Sequence, residues 1–181
     1  MKHQKIRSTT ILGVRSKKEV AIAGDGQVTF GDMAMKQKAI KVRKFDSSKG
    51  GVVGGFAGAA ADALTLFEKF EQKLDEYEGD LKRSVVEMAK EWRTDKMLRH
   101  LEALLLVMDK KDSFIIAGDG NVIEPDGPVV SIGSGGGFAQ AAAIAFHQSG
   151  KYSAKKIAEE SLKIAAGLCI YTNDSITVLE L

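Results

Sequence analysis

Val20-Ala-Ile-Ala-Gly-Asp-Gly-Gln-Val28 and Phe114-Ile-Ile-Ala-Gly-Asp-Gly-Asn-Val122 are near copies of one another, each running an apolar stretch into an Asp-Gly pair. An apolar run that ends on Asp-Gly reads as a strand entering a tight turn. A second apolar run precedes each copy across a short charged turn. Thr9–Arg15 leads through Ser16–Glu19 into the first, and Leu104–Asp109 leads through Lys110–Asp112 into the second. Helical spacing follows each hairpin. Leu64, Phe67, Phe70, Leu74 and Tyr77 recur on one side up to Gly79, and a second helix is expected from Ser84 to about Leu101, with Val85, Met88, Ala89 and Trp92 along one side. In the other half, Gly137–Ser149 is Ala-rich and closed by Gly150, Ser153 is placed to cap a helix to about Ala166, and Ser175–Leu181 reads as a last strand. Strands grouped in hairpins with helices in pairs predict an α+β fold with antiparallel sheets rather than β-α-β crossovers. Two sheets face to face, each covered outside by a helical pair, would bury every apolar face. No linker interrupts the pattern, and the two prolines, Pro125 and Pro128, share one loop.

Composition narrows the function classes. The chain has 181 residues, enough for one domain with a sizeable core. Its net charge of +2 comes from interspersed acids and bases, which argues against nucleic acid or membrane as the main partner. A single cysteine, Cys169, cannot form an internal disulfide and suits a reducing, cytoplasmic setting. The most apolar run, Leu104–Met108, has only a strand's length, and the basic N-terminus lacks the apolar centre of a secretory signal. Composition alone makes residues 1–8 a disordered tail.

Several glycine and acid positions invite functional readings, each beside a plainer one. Ser131-Ile-Gly-Ser-Gly-Gly-Gly137 suggests a phosphate loop, but Phe138 stands where the dinucleotide fingerprint needs glycine and no Gly-Lys-Ser/Thr ending exists. Asp25 and Asp119 serve equally as turn residues. The amides of Gly54-Gly-Phe-Ala-Gly58 could hold an oxyanion or make a tight strand-to-helix connection. His3, His100 and His147 show no metal spacing, and Gly133-Ser-Gly135 lacks the spacing of a nucleophile elbow. Lys36, Lys38, Lys41, Arg43 and Lys44 read first as a solvated face. These residues, taken singly, name no reaction.

Their combination is more specific. Ser8-Thr-Thr-Ile-Leu12, Ala23-Gly-Asp-Gly-Gln-Val28, Lys41-Val-Arg43, Gly54-Gly-Phe-Ala-Gly58 and Ala61–Phe67 come in order. They are followed by Trp92-Arg-Thr-Asp95, Leu101–Leu105, Ile132-Gly-Ser-Gly-Gly136 and Cys169-Ile-Tyr-Thr-Asn173. From Thr9 to the C-terminus this series resembles the HslV (ClpQ) family of proteasome-like peptidases. The resemblance implies a four-layer αββα sandwich, the N-terminal-nucleophile hydrolase fold. It implies that Thr9 is the nucleophile once residues 1–8 are removed as a propeptide, leaving residues 9–181 as one peptidase domain. A threonine hydroxyl needs a base, and a free α-amine, titrating near about 7.7–8.0, supplies one on the same residue. On the same resemblance Asp25 orients Lys41, Lys41 tunes the amine and hydroxyl, Ser134 supports the amine, and the Gly55 amide receives the oxyanion. Ser8 and Thr10 are rivals for the terminal role, and Thr9 has the family's spacing to Asp25.

The resemblance also implies a double ring of hexamers, the ATPase HslU (ClpY) as partner, and unfolded proteins as substrates. It further implies a sodium or other monovalent cation held by backbone carbonyls at Ala166, Cys169 and Thr172. Ala166 stands where glycine is frequent, which a carbonyl ligand tolerates. Gly137-Phe138 departs from the family's bulkier-then-aromatic pair and leaves cleavage preference open. An amidase of the same fold acting on small molecules, and a non-catalytic ring subunit, are the competing readings.

Overall fold

The computed structural model describes residues 6–7, 9–17, 19–58, 60–95 and 103–181. Chain order runs through β1 (Ile6–Arg7), β2 (Thr10–Ser16), β3 (Glu19–Gly24), β4 (Val28–Phe30), β5 (Met33–Lys36), β6 (Val42–Phe45) and β7 (Val52–Ala57). Helices α1 (Ala60–Glu76) and α2 (Leu81–Thr94) follow, then β8 (Leu104–Met108), β9 (Ser113–Ala117), β10 (Val122–Ile123) and β11 (Val129–Gly133). Helices α3 (Gly136–Ser149) and α4 (Ala154–Leu168) and strand β12 (Thr177–Glu180) complete the chain. Every strand pairing is antiparallel. A five-stranded sheet runs β10-β9-β8-β7-β6, a four-stranded sheet runs β11-β2-β3-β12, and a small sheet runs β1-β4-β5.

Burial divides into three cores, which are the three interfaces of a four-layer stack. Phe67, Phe70, Leu74, Val85, Met88 and Trp92 press the first helical pair onto the five-stranded sheet. Ala139, Ala143, Ile157, Ala158 and Leu162 press the second pair onto the four-stranded sheet. Ile11, Ile22, Val53, Leu106 and Met108 fill the space between the sheets. The fold is therefore the expected αββα sandwich. Helix α4 shows why the sequence dictates it: Ala154, Ile157, Ala158, Ser161, Leu162 and Ala165 are its buried residues, one stripe at helical spacing. Trp92 is fully buried at the centre of the first core. Trp92→Ala is expected to cost about 3–5 kcal/mol, read as a lowered urea midpoint.

Boundaries differ from the sequence reading where capping decides them. Helix α2 begins at Leu81 rather than Ser84, because the Asp80 side chain accepts a hydrogen bond from the Arg83 N–H at 3.0 Å. Ser153 does cap α4, accepting from Lys156 N–H, but that helix runs on to Leu168. Helix α3 ends as expected on Gly150, in the left-handed conformation at φ 67°. The expected end of the second helix near Leu101, as well as Ser8, His3 and His100, lies outside the described residues.

Candidate active site

The head of β2 carries Thr9 and Thr10, and elements distant in sequence converge on it. Thr9 is 1% exposed and has φ 111°, a left-handed value that is an outlier for a β-branched residue. Its carbonyl accepts a hydrogen bond from the Ser134 N–H at 2.9 Å. Gly133 turns beneath it at φ 92°, so close that a Cβ there would lie 2.0 Å from the Thr9 carbonyl oxygen. Only glycine meets both demands. Gly133→Ala is expected to displace Thr9 and lower the peptidase rate by about 10²-fold, the scale of an ångström misplacement, measured as kcat on a short peptide.

Thr10 is held structurally. Its amide donates to Asp25 Oδ1 at 2.8 Å, and its hydroxyl accepts from Gly135 N–H at 2.9 Å and pairs with the Thr172 hydroxyl at 2.7 Å. These contacts commit its oxygen to the scaffold and remove it as a rival nucleophile. The 134–135 turn thus clamps Thr9 and the first residue of β2.

Asp25, fully buried at the end of β3, collects donors from four directions. Besides Thr10, Lys41 Nζ donates to Oδ1 at 2.9 Å, and the amides of Gln27 and Asn173 donate to Oδ2 at 2.9 and 3.3 Å. Lys41 is 6% exposed, donates a second bond to the Gln27 carbonyl, and is anchored by its own carbonyl, which accepts from Phe56 N–H at 3.1 Å. Burial pushes the Lys41 ammonium below the ordinary lysine value, and Asp25 pushes back upward through charge and hydrogen bond. Since Asp25 Oδ1 serves both Lys41 and the Thr10 amide, the ammonium sits two hydrogen bonds from the peptide joining Thr9 to Thr10.

Thr9, Asp25, Lys41 and Ser134 are therefore brought together. Ser134 contributes its amide to Thr9, and the residue is exposed. Gly55 is not an oxyanion donor. It lies mid-strand in β7, paired with Val42 on one side and Leu106 on the other, so its amide belongs to the ladder. It is glycine for packing, since a Cβ there would lie 2.4 Å from Ile11 Cγ2 on the opposite sheet. Gly58 lies one residue past the end of β7 at φ 153°, and the preceding Ala57 faces Gly133 beside Thr9. The cation positions fall on one turn: Ala166 in the last turn of α4, Cys169 as its C-cap, and Thr172 beyond, whose N–H donates to the Cys169 carbonyl at 3.0 Å. Among the described residues no cluster of histidine, cysteine or acid side chains could hold a metal, and no helix is long and apolar enough to cross a membrane.

A proteasome-subunit family profile matches residues 6–181. The chain is 54% identical over 178 residues to the ATP-dependent protease subunit HslV of Treponema denticola, covering 98% of this chain and 99% of that one. The chain belongs to the HslV family of proteasome subunits. A crystal structure of eukaryotic HslV from Trypanosoma brucei superposes with a TM-score of 0.88 at 45% identity, over 95% of this chain and 98% of that one. Thiobacillus denitrificans BPH, at 18% identity and a TM-score of 0.75 over 95% of this chain and 97% of that one, shares the fold. As a member of the HslV family the chain is a threonine peptidase subunit of an ATP-dependent protease.

Proposed function

We propose that residues 1–8 are a propeptide whose removal makes Thr9 both nucleophile and base, and that the mature chain cleaves peptide bonds of unfolded proteins in an oligomer served by a separate ATPase. The observation that carries the reading is the buried Thr9–Asp25–Lys41 constellation at the head of β2. After release, the Thr9 α-amine takes the hydroxyl proton, Oγ1 attacks the substrate carbonyl, and the amine returns the proton to the departing peptide nitrogen. Water then hydrolyses the ester. The Lys41 ammonium keeps the amine neutral by like-charge repulsion and stabilises the negative charge that builds on Thr9 Oγ1 as its proton leaves, and Asp25 keeps the ammonium in place. Gly58 takes over the oxyanion role from Gly55, because its amide lies beyond the last ladder pair of β7.

The left-handed φ of 111° at Thr9 favours self-processing. Thr9 Oγ1 would bond to the Ser8 carbonyl carbon as the Ser8–Thr9 C–N bond breaks, the hydroxyl proton passing to the nitrogen; water hydrolyses the resulting ester. Strain at the N–Cα bond of Thr9 is lost once its nitrogen is no longer acylated. The intact mass of purified chain tests this: a mass beginning at Thr9 supports the reading, and an active chain that retains residues 1–8 overturns it.

The double ring of hexamers and an HslU-type ATPase partner in the cytoplasm fit a chain that lacks a nucleotide loop. Steady degradation of a folded protein without added ATPase would contradict the partner. The monovalent cation fits the end of α4. The last carbonyls of a helix lack intrahelical partners, its C-terminus is electronegative, and no basic residue occupies the last turn of α4. The carbonyls of Ala166, Cys169 and Thr172 would hold it, and its contribution would be to neutralise that end. Replacing sodium chloride with choline chloride at equal ionic strength is expected to lower the melting temperature; an unchanged value would remove the cation.

A further inference from the structure

We propose that Asn173 is a positioning residue for the peptidase reaction, the amide that fixes the Asp25 turn against the segment delivering Lys41. The inference rests on the assignment of Thr9, Asp25 and Lys41 to catalysis. Asn173 lies in the loop between α4 and β12 and uses the whole bonding capacity of its side chain. Its Oδ1 accepts from the amides of Gly26 at 2.9 Å and Ser175 at 3.3 Å. Its Nδ2 donates to the Gln37 carbonyl at 2.9 Å and to Gln37 Oε1 at 2.8 Å. Its own backbone amide donates to Asp25 Oδ2.

The Ser175 contact alone would be an ordinary loop-closing turn. The others are not local, because they join three segments. One is the loop after α4. The second is the Asp25–Gly26 connection between β3 and β4, and the third begins at Gln37 and reaches Lys41. The last two are packed so closely that a Cβ on Gly26 would lie 2.4 Å from the Gln37 carbonyl oxygen. The segment from Gln37 to Lys41 has two further backbone anchors, Ala39 N–H to the Gly26 carbonyl at 2.9 Å and Phe56 N–H to the Lys41 carbonyl at 3.1 Å. Loss of the Asn173 amide therefore shifts that segment relative to Asp25 without unpairing any strand. The charged groups facing the Lys41 ammonium are Asp25 and, in the mature chain, the α-amine of Thr9; a loosened turn weakens the first and misplaces the ammonium from the second.

The test compares Asn173→Ala and Gln37→Ala with the parent chain, each as the assembled peptidase stimulated by its ATPase, on a short fluorogenic peptide across pH. Asn173→Ala is expected to lower kcat by about 10- to 100-fold with KM changed by less than about threefold, the pattern of an interaction needed at the transition state. The alkaline limb of its kcat profile moves to lower pH, because Asp25 supports the protonated lysine less well. Gln37 is exposed, so its alanine variant should assemble regardless, and it moves kcat and the limb in the same direction by a smaller amount. A merely structural role would reduce the amount of assembled enzyme and leave the limb in place. Parent-like kcat and an unmoved limb in the variants that assemble overturn the proposal, and Gln37→Ala alone decides if Asn173→Ala fails to fold. Thr9→Ala run alongside separates the failures: if it is active, the catalytic assignment falls; if it is inactive while these variants match the parent, only the role of Asn173 falls.

Discussion

A Thr9→Ala chain is expected to retain residues 1–8 and to hydrolyse peptide at least about 10⁴-fold more slowly than the parent, the scale on which loss of a covalent nucleophile is felt. Peptide hydrolysis and intact mass measured on the same preparation check both halves. The physical case rests on what surrounds the two threonines. The Thr10 hydroxyl is held by Gly135 N–H and the Thr172 hydroxyl, and its amide by Asp25, so it cannot take over without dismantling the clamp. Thr9 combines a β-hydroxyl, a nitrogen that becomes an amine on processing, and a strained φ of 111° in the unprocessed chain. Thr9→Ser keeps the first two and is expected to retain processing and measurable activity. Thr10→Ala keeps Thr9 intact and should lose far less than Thr9→Ala. Full activity in Thr9→Ala, or a larger loss in Thr10→Ala, would remove Thr9 from the centre of the mechanism.

The layers of this fold are legible from the sequence because its periodicities are strong. The β2–β3 and β8–β9 hairpins, the buried stripe of α4 and the Ser153 cap survive into three dimensions, but only the second Asp-Gly pair closes a hairpin, β9 onto β10; after the first, β4 leaves to pair with β1 and β5 in the small sheet. Strand β5 was not legible: all four of its residues, Met33–Lys36, are exposed, so no alternation marks it. Site residues were legible in proportion to how far their role depends on neighbours in sequence. Asp25 and Lys41 came from matching motifs, since two residues 16 apart carry no local sign that they will bond. Gly54-Gly-Phe-Ala-Gly58 offers several amides to an oxyanion, but glycine type cannot distinguish an amide inside a ladder from one beyond it. Only the pairing of Gly55 with Val42 and Leu106 does that. Asn173 closes the motif Cys169–Asn173, but nothing local points to its partners Gly26 and Gln37, which are reached through folding across 147 and 136 residues.

Lys41→Met is expected to lower kcat by about 10²–10³-fold, the usual effect of deleting a preorganised charge in a reaction site, and to destabilise the chain by about 1–3 kcal/mol. Methionine keeps much of the stem, so the change tests the charge more than the packing. The stability loss arises because methionine cannot donate, so buried Asp25 Oδ1 and the Gln27 carbonyl lose hydrogen bonds that even a neutral lysine would still make. Lys41→Met combined with Asp25→Asn removes both charges and should recover part of the stability while remaining slow, which separates the structural effect from the catalytic one. The pH behaviour gives a further check with opposite signs. The native ammonium holds its proton more weakly than the unfolded chain, because burial outweighs the pull of Asp25. Between that lowered value and the ordinary lysine value of about 10.4, the unfolded chain binds more protons, so stability should rise with pH across that window. Activity should fall over the same window as the ammonium is lost. Urea midpoints and kcat measured at matched pH would show the two curves diverging in the parent. In Lys41→Met the rise in stability disappears, and a parent-like rise there would mean that another group carries the linkage.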